Sequence, residues 1–170
     1  MLVLIGLGGN DGDVLSAFAG AVAGLGREVP LLARSSVWRS APLGPPQREY
    51  LNAAVLIEAS VPPSAVLALC QQLESAAGRD RDLETRWGPR KLDLDLLIVP
   101  GLVVESQELV LPHPRLAERR FALAPAAELV PDWVHLRAHR TLGQLAAHPA
   151  LIAQRCEVTV APDRWGGESR

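Results

Sequence analysis

The chain has 170 residues, of which 48% are hydrophobic and 21% charged, and its formal net charge is −2. This length and composition fit one soluble globular domain and exclude a disordered or fibrous chain. Because acidic and basic residues nearly balance, no global field draws the protein to nucleic acid or to an anionic membrane. The two cysteines, Cys70 and Cys156, lie far apart in sequence and do not have the spacing of zinc ligands. So few cysteines are typical of a protein from a reducing compartment. We therefore expect a cytoplasmic protein with no signal peptide and no membrane segment.

Hydrophobic periodicity and turn residues predict alternating strands and helices. The predicted strands are 2–7, the end of 29–39, 51–58, 92–99 and about 108–111. The predicted helices run from Asp11 or Asp13 to about Leu25 with Gly26 at the end, from Pro62 to Gly78, through 115–129 and through 141–148. Between Gly78 and Leu92 lies a charged loop, and long loops in compact domains often carry function.

The order of these elements predicts an α+β, ferredoxin-like fold. Strand, helix, strand, strand, helix, strand is the split β-α-β arrangement, an antiparallel sheet with helices packed on it. Further helices at the C-terminal end would cover more of the sheet and give αβα layers. We predict one domain over 1–155 and a poorly patterned, loose tail over 156–170.

Asp93 and Asp95 are the first candidates for chemistry. On a strand, residues two apart point the same way and lie about 6–7 Å from each other. Two carboxylates that close raise each other's pKa unless a cation lies between them, and aspartate oxygens suit Mg²⁺. From spacing alone, a solvent-facing pair without a metal is an equal alternative.

Arginines in the preceding loop strengthen the metal interpretation. Arg79, Arg81, Arg86 and Arg90 lead directly into the aspartate strand. Cations beside metal-binding carboxylates are what a polyphosphate site requires, since both offset phosphate charge. Each arginine taken alone is better explained by an ion pair with a neighbouring acidic residue, but all four together are not.

A ring-binding slot is a second hypothesis. Tyr50 could stack on a flat ligand, and Asn52 offers an amide donor and acceptor. Tyr50 as a simple core residue is the open alternative. His113, held between two prolines, could donate to a phosphate, although a lone histidine is more often structural.

The sequence resembles the 6-hydroxymethyl-7,8-dihydropterin pyrophosphokinase family of folate synthesis over roughly residues 2–133. The resemblance is carried, in chain order, by Gly8-Gly9-Asn10, Ala41-Pro-Leu-Gly44, Gln47, Tyr50-Leu-Asn52, Glu74, Gly78-Arg79, Arg86-Trp-Gly-Pro-Arg90, Leu92-Asp-Leu-Asp95, Pro112-His-Pro-Arg115, Arg119 and Phe121. Gly9 stands where the family usually has serine, and Lys91 where threonine is common.

The resemblance implies transfer of the β,γ-diphosphate of ATP to a reduced pterin, with release of AMP. It implies two Mg²⁺ ions at Asp93 and Asp95, and catalytic assistance from Arg79 and Arg90. The implied ATP contacts are Gln71, Glu74, Arg81, Trp87, Leu96, His113 and Arg119. The implied pterin contacts are Ser40, Ala41, Leu43, Tyr50, Asn52 and Phe121.

Two other functions are weighed against this one. A non-catalytic ferredoxin-like module that binds nucleotide or RNA would place aromatic residues on an open sheet face and need no Mg²⁺. A two-metal phosphohydrolase would need more carboxylates or histidines around Asp93 and Asp95 than the sequence offers. We expect a monomer whose partners are ATP and a reduced pterin, with no nucleic acid and no membrane. The loop from Arg79 to Lys91 is expected to close over ATP.

Overall fold

The computed structural model describes residues 1–42, 46–79 and 88–166. The strands are β1 (Leu2–Gly9), β2 (Leu31–Arg34), β3 (Val37–Ser40), β4 (Tyr50–Glu58), β5 (Asp93–Ile98), β6 (Val104–Glu105), β7 (Val110–Leu111), β8 (Val134–His135), β9 (Arg140–Thr141) and β10 (Cys156–Val160). The helices are α1 (Val14–Glu28), α2 (Pro63–Ala76), α3 (Arg120–Leu129), α4 (Leu142–Ala146) and α5 (Pro149–Ile152), with single 3₁₀ turns at Leu116–Glu118 and Pro162–Arg164.

Six strands form one antiparallel sheet. The order is β10-β3-β4-β1-β5, and β2 pairs with β4 beyond the end of β3. β1 pairs with β4 along its whole length, from Leu2 opposite Glu58 to Gly9 opposite Leu51. Its other edge pairs with β5, which places Gly6 opposite Asp95 and Gly8 opposite Asp93.

Both faces of the sheet are covered, as the predicted αβα layers require. Val3, Ile5 and Leu7 of β1 belong to a core with α1 and α2. Leu4 belongs to a second core, on the opposite face, with α3 and α4. Burial on both faces explains why residues 2–7 read as an almost continuous aliphatic run rather than as an alternating one. The predicted α+β ferredoxin-like fold is therefore confirmed.

The ends of α1 and α2 agree with the sequence except at Gly26. Asp13 caps α1 by accepting a hydrogen bond from Ser16 N at 3.1 Å, and Gly78, with φ of +86°, follows the end of α2. α1 was predicted to end at Gly26 but continues to Glu28, and the chain becomes extended only at Val29. Glycine lowers helix stability without forbidding helical backbone angles, so continued hydrogen bonding carries α1 through Gly26. The helix predicted through 115–129 is divided into a 3₁₀ turn at Leu116–Glu118 and α3, because Arg119 between them is extended, and the helix predicted through 141–148 ends at Ala146.

The strand predicted at about 108–111 is shorter than expected and lies outside the main sheet. Val110–Leu111 pairs with Val104–Glu105 as a separate two-stranded ribbon. The strand predicted at 51–58 begins one residue earlier, at Tyr50. No helix in the three described ranges is long and apolar enough to cross a membrane.

The C-terminal segment is part of the fold as far as residue 166, so the predicted loose tail from 156 is wrong for these residues. β10 pairs with β3 and forms one edge of the sheet. Trp165 is 5% exposed, packs on Phe18 with ring centroids 5.9 Å apart, and donates from Nε1 to Ser35 O at 2.9 Å. These contacts join residues far apart in sequence, and local pattern does not reveal them. Residues 167–170 lie outside the described part.

Candidate active site

A pocket of about 430 Å³ opens between the sheet and the start of α3. Gly6 and Gly8 lie on its floor, on the same face as their partners Asp95 and Asp93. Because glycine has no side chain, the sheet surface between β4 and β5 stays open to a ligand. The lining residues with functional groups are Ser40, Tyr50, Asn52, Arg79, Arg90, Asp93, Asp95, Arg115, Arg119 and Phe121.

Asp93 and Asp95 point from β5 into this pocket. Their neighbours Leu94 and Leu96 face the opposite way, into the core beneath α1 and α2. Asp95 meets solvent within the pocket, but the surrounding walls limit the water around it. This desolvation, followed by the charges of Asp93 and Glu74, raises the pKa of Asp95 to about 7. A carboxylate held in this way favours an added cation.

Arginine side chains hold Asp93. Arg79 Nη1 donates to Asp93 Oδ1 and, at 2.6 Å, to Glu74 Oε1. Arg90 Nη1 donates to Asp93 Oδ2 at 3.0 Å. Glu74 is 1% exposed and also accepts from Leu94 N at 2.7 Å, so it joins α2 to β5. Two of the four arginines that the sequence placed near the aspartates, Arg79 and Arg90, therefore contact Asp93 directly. Arg81 and Arg86 lie outside the described residues.

A second pair of arginines reaches the pocket from the other side. Arg115 and Arg119 come from the segment that leads into α3, and the Arg119 guanidinium carbon lies 5.5 Å from the centre of the Phe121 ring. Burial and the charge of Arg115 lower the pKa of Arg119. Two positively charged side chains therefore lie close together on this wall, and this favours an anionic ligand.

The aromatic end of the pocket contains Tyr50, Asn52, Ser40 and Phe121. Asn52 is 5% exposed and donates from Nδ2 to Ser40 Oγ at 3.0 Å. Its Oδ1 lies near the open space above Gly8. Tyr50 donates from its hydroxyl to Gly88 O at 3.0 Å, which ties the first residue of β4 to the segment before β5. Residues predicted for a ring slot and residues predicted for a phosphate site thus line one pocket.

Asn10 bonds to Arg90, which lines the pocket, a contact that the sequence motifs did not indicate. It is 5% exposed, and its Nδ2 donates to Gln47 Oε1 at 3.0 Å and to Arg48 O at 3.1 Å. Its Oδ1 accepts from Arg90 N at 2.9 Å. The available signal in the sequence was an asparagine directly after a strand and a Gly-Gly pair. A polar side chain that is buried at such a point requires hydrogen-bond partners.

Several predicted nucleotide contacts lie away from the pocket lining. Gln71 is exposed on α2, and the Leu96 side chain is in the core on the other face, which leaves only its main chain for a ligand. Glu74 is not among the lining residues, but it contacts Arg79, which is. His113 N donates to Leu97 O at 2.7 Å, and burial followed by the charge of Arg119 lowers the pKa of its imidazole. Leu43, Arg81 and Trp87 lie outside the described residues.

The donor set around Asp93 and Asp95 is small. Within the described ranges, no group of three or more histidine, cysteine, aspartate or glutamate side chains is arranged to hold a metal ion. A site completed by waters and by ligand phosphates needs only one or two carboxylates, as is usual for Mg²⁺. Two carboxylates on one strand, one of them with a raised pKa, fit such a cation.

Together, the fold and the pocket define a ferredoxin-like α+β protein whose pocket is lined by paired carboxylates, arginines and aromatic side chains. A sequence model of the 7,8-dihydro-6-hydroxymethylpterin-pyrophosphokinase (HPPK) family matches residues 4–131. The chain belongs to this family.

Individual relatives agree with this assignment. The 2-amino-4-hydroxy-6-hydroxymethyldihydropteridine pyrophosphokinase of Synechocystis sp. is 42% identical over 144 residues, which are 84% of this chain and 73% of that protein. The protein of the same name from Methylorubrum extorquens is 43% identical over 133 residues, 76% of this chain and 83% of the relative. The Bacillus subtilis protein is 42% identical over 131 residues, 75% of this chain and 77% of the relative.

Solved structures support the fold. The crystal structure of Plasmodium falciparum HPPK-DHPS with STZ-DHP aligns with a TM-score of 0.67 at 10% identity and covers 85% of this chain. This chain spans only 42% of the length of that one. The similarity is therefore evidence for the architecture alone.

Proposed function

We propose that the protein transfers the diphosphate group of ATP to the hydroxymethyl oxygen of 6-hydroxymethyl-7,8-dihydropterin, in the synthesis of tetrahydrofolate. The products are AMP and the pterin diphosphate. One observation carries the proposal beyond family membership: a single pocket has paired carboxylates on β5, one of them held by arginines, and Tyr50 and Asn52 on β4, with Phe121 also in its lining. This arrangement supports binding of a phosphate chain and a flat heterocycle side by side.

The pterin would occupy the aromatic end. Tyr50 and Phe121 would stack on its ring, and Asn52, Ser40, Ala41 and Leu43 would line its edge. The bond from Asn52 Nδ2 to Ser40 Oγ orients the amide, so that Oδ1 can accept from a ring N–H. Orientation of this kind places the hydroxymethyl oxygen towards the phosphates and lowers the entropic cost of reaction.

ATP would place its triphosphate between the two pairs of arginines. We assign Gln71, Glu74, Arg81, Trp87, Leu96, His113 and Arg119 to ATP, with the position of Arg119 on the pocket wall as the best-supported contact. Asp93 and Asp95 would hold two Mg²⁺ ions, which when bound neutralise charge on the phosphates and polarise them. Arg79 and Arg90, which hold Asp93 in this structure, would turn towards the phosphates during transfer.

The transfer step requires little covalent chemistry from the protein. The pterin hydroxymethyl oxygen bonds to the β-phosphorus, the bond between that phosphorus and the α,β-bridging oxygen breaks, and AMP leaves with the bonding electrons. The hydroxyl proton passes to solvent or to an aspartate oxygen. Arginine side chains offset the charge that develops on the leaving oxygen. Closure of the segment 79–91 over ATP remains a prediction, because 80–87 lie outside the described residues.

Release of AMP is the direct test. AMP, ADP and free phosphate are measured from ATP with and without the pterin, first in Mg²⁺ and then in EDTA. We expect AMP only when pterin and Mg²⁺ are both present, and a loss of at least about 100-fold in Asp95→Asn. Asp132→Asn, at an exposed position away from the pocket, is the matched control. ADP or phosphate as the product, or turnover in EDTA, would refute the proposal.

The other expectations remain predictions. We propose a cytoplasmic monomer that binds ATP and a reduced pterin and no nucleic acid, in keeping with the small net charge. Light scattering of the purified protein, with and without ligands, tests the monomer. A dimer that persists at low micromolar concentration would contradict it.

A further inference from the structure

The side chain of Gln154 holds the segment that carries Arg119. Gln154 Oε1 accepts from Arg120 N at 2.9 Å, and Gln154 Nε2 donates to Glu118 O at 2.9 Å. One carboxamide is therefore bonded to both peptide groups that flank Arg119. Gln154 comes from a distant part of the chain, between α5 and β10.

The backbone of Arg119 has the shape that allows this pairing. Its φ of −118° and ψ of +110° are those of an extended residue. In an extended residue, the preceding C=O and the following N–H point to the same side, as they do towards a neighbouring strand. Here the side-chain carboxamide of Gln154 makes the two hydrogen bonds that a neighbouring strand would make. Because φ and ψ of Arg119 lie between the two bonded peptides, the pair of bonds restricts both angles.

The two hydrogen bonds from the Gln154 side chain, which we call the Gln154 clamp, also replace a missing helix cap. Arg119 is the N-cap of α3, and its side chain makes no capping hydrogen bond. The first N–H groups of a helix have no partner within the helix and require one from elsewhere. Gln154 supplies the partner for Arg120 N, which is the first residue of α3.

Gln154 is itself well anchored. Its N–H donates to Leu151 O at 3.0 Å, and Leu151 is 6% exposed in the core that α3 and α4 share. Two residues later, Cys156 enters β10 opposite Ser40, another residue of the pocket lining. The segment between α5 and β10 is therefore fixed on both sides of the clamp.

We propose that Gln154 is a positioning residue for Arg119, which sets the direction of the guanidinium on the wall of the ligand pocket. The inference rests on the proposed function for the role of Arg119 in holding ATP, and it goes beyond it because Gln154 lies outside the residues 4–131 that match the family.

A double-mutant cycle tests the proposal. Gln154→Met keeps the length of the side chain and removes both bonds, and it is combined with Arg119→Met. We expect Gln154→Met to raise KM for ATP about 3- to 10-fold, the effect of losing one or two net hydrogen bonds. The value of kcat should change by less than about 2-fold, as expected when uniform binding is lost. In the Arg119→Met background, Gln154→Met should add nothing.

Two further variants complete the design. Gln154→Glu keeps an acceptor for Arg120 N but loses the donor to Glu118 O, so its effect should be smaller. Gln107→Met changes an exposed glutamine in the turn between β6 and β7 and should leave KM unchanged. If Gln154→Met raised KM for ATP equally in the parent protein and in Arg119→Met, Gln154 would act without Arg119. This result would overturn the proposal.

A second readout does not depend on activity. Hydrogen exchange at the Arg120 amide should accelerate in Gln154→Met, and the NMR signal of the Arg119 Nε–H should broaden or shift. If the parent protein released no pterin-dependent AMP, the proposed function would fail, and these signals would still decide the role of Gln154. An unchanged Arg119 signal with a protected Arg120 amide would refute it.

Discussion

Asn10 and Arg90 are joined by two reciprocal hydrogen bonds, although 80 residues separate them in the chain. Asn10 N donates to Arg90 O at 2.8 Å, and Arg90 N donates to Asn10 Oδ1 at 2.9 Å. The amide of Asn10 also reaches Gln47 and the carbonyl of Arg48. The end of β1 therefore fixes the two segments that lead into Tyr50 and into Asp93.

Replacement of Asn10 should weaken both stability and activity. Asn10→Ala leaves Arg90 N and two acceptors without this buried partner, at a cost of about 2–3 kcal/mol. We expect the melting temperature to fall by about 5–10 °C. kcat/KM should fall about 10- to 100-fold as Arg90 loses its position. Differential scanning calorimetry and the AMP assay measure the two effects.

Gln47→Ala is the control for Asn10, since it removes only one of the acceptors. Its cost should stay below about 1 kcal/mol. The prediction would be contradicted if the melting temperature of Asn10→Ala lay within about 2 °C of the parent value and fell no further than that of Gln47→Ala. The buried network would then not be a determinant of stability.

The raised pKa of Asp95 makes the metal-free protein less stable as the pH rises. Below about pH 4 the carboxyl is protonated in both the folded and unfolded states; between about pH 4 and about pH 7 only the folded state keeps the proton. Stability from this group is therefore present in acid and is lost as the pH passes through about 7.

Asp95→Asn should consequently melt higher than the parent at about pH 8 in EDTA. Because solvent still reaches Asp95 and screens its charge, we expect a gain of about 1 kcal/mol, equivalent to about 2–4 °C. The difference should vanish near pH 4 and shrink when Mg²⁺ is added to the parent protein. Asp132→Asn, measured over the same pH range, should show no such trend. A constant difference at every pH would contradict the prediction.

Arg79 compensates a buried charge. Glu74 is 1% exposed, and the Arg79 side chain beside it is 8% exposed. Arg79→Met removes the guanidinium from this carboxylate and should cost about 3 kcal/mol, measured by urea unfolding. The double variant Arg79→Met/Glu74→Gln should recover part of the loss, because glutamine is neutral and still accepts from Leu94 N. A double variant no more stable than Arg79→Met would show that the buried charge is not the cause.

Gly9 and Gly20 form a matched pair of glycine substitutions. A Cβ at Gly9 would lie 2.7 Å from Lys91 O and 3.0 Å from Val14 Cγ1, so Gly9→Ala must push the main chain before β5 away. We expect a cost of about 1–3 kcal/mol and weaker ligand binding. Gly20 is exposed in α1, and a Cβ there would meet no neighbouring element of the described chain within 4 Å, so Gly20→Ala should stabilise by about 0.5–1 kcal/mol. Equal melting temperatures for the two variants would contradict this account.

Much of the fold and part of the site could be predicted from sequence. β1, α1, α2 and β5 follow from patterns of a few neighbouring residues, and the shared direction of Asp93 and Asp95 follows from the pleat of a strand. The paired aspartates and the sequence motifs were sufficient to indicate the family. Local geometry and side-chain chemistry determine these features, so they can be read without knowing which elements meet.

The tertiary structure alone decided which distant residues meet. β10 joins the sheet at β3, Trp165 enters the core against Phe18, and Asn10 and Gln154 bond to segments far away in sequence. No periodicity encodes these contacts, because they depend on strand order and on which buried polar groups remain to be satisfied once the core has formed. The sequence by itself determined the elements and the reactive side chains, whereas packing of the two cores determined how those side chains are held.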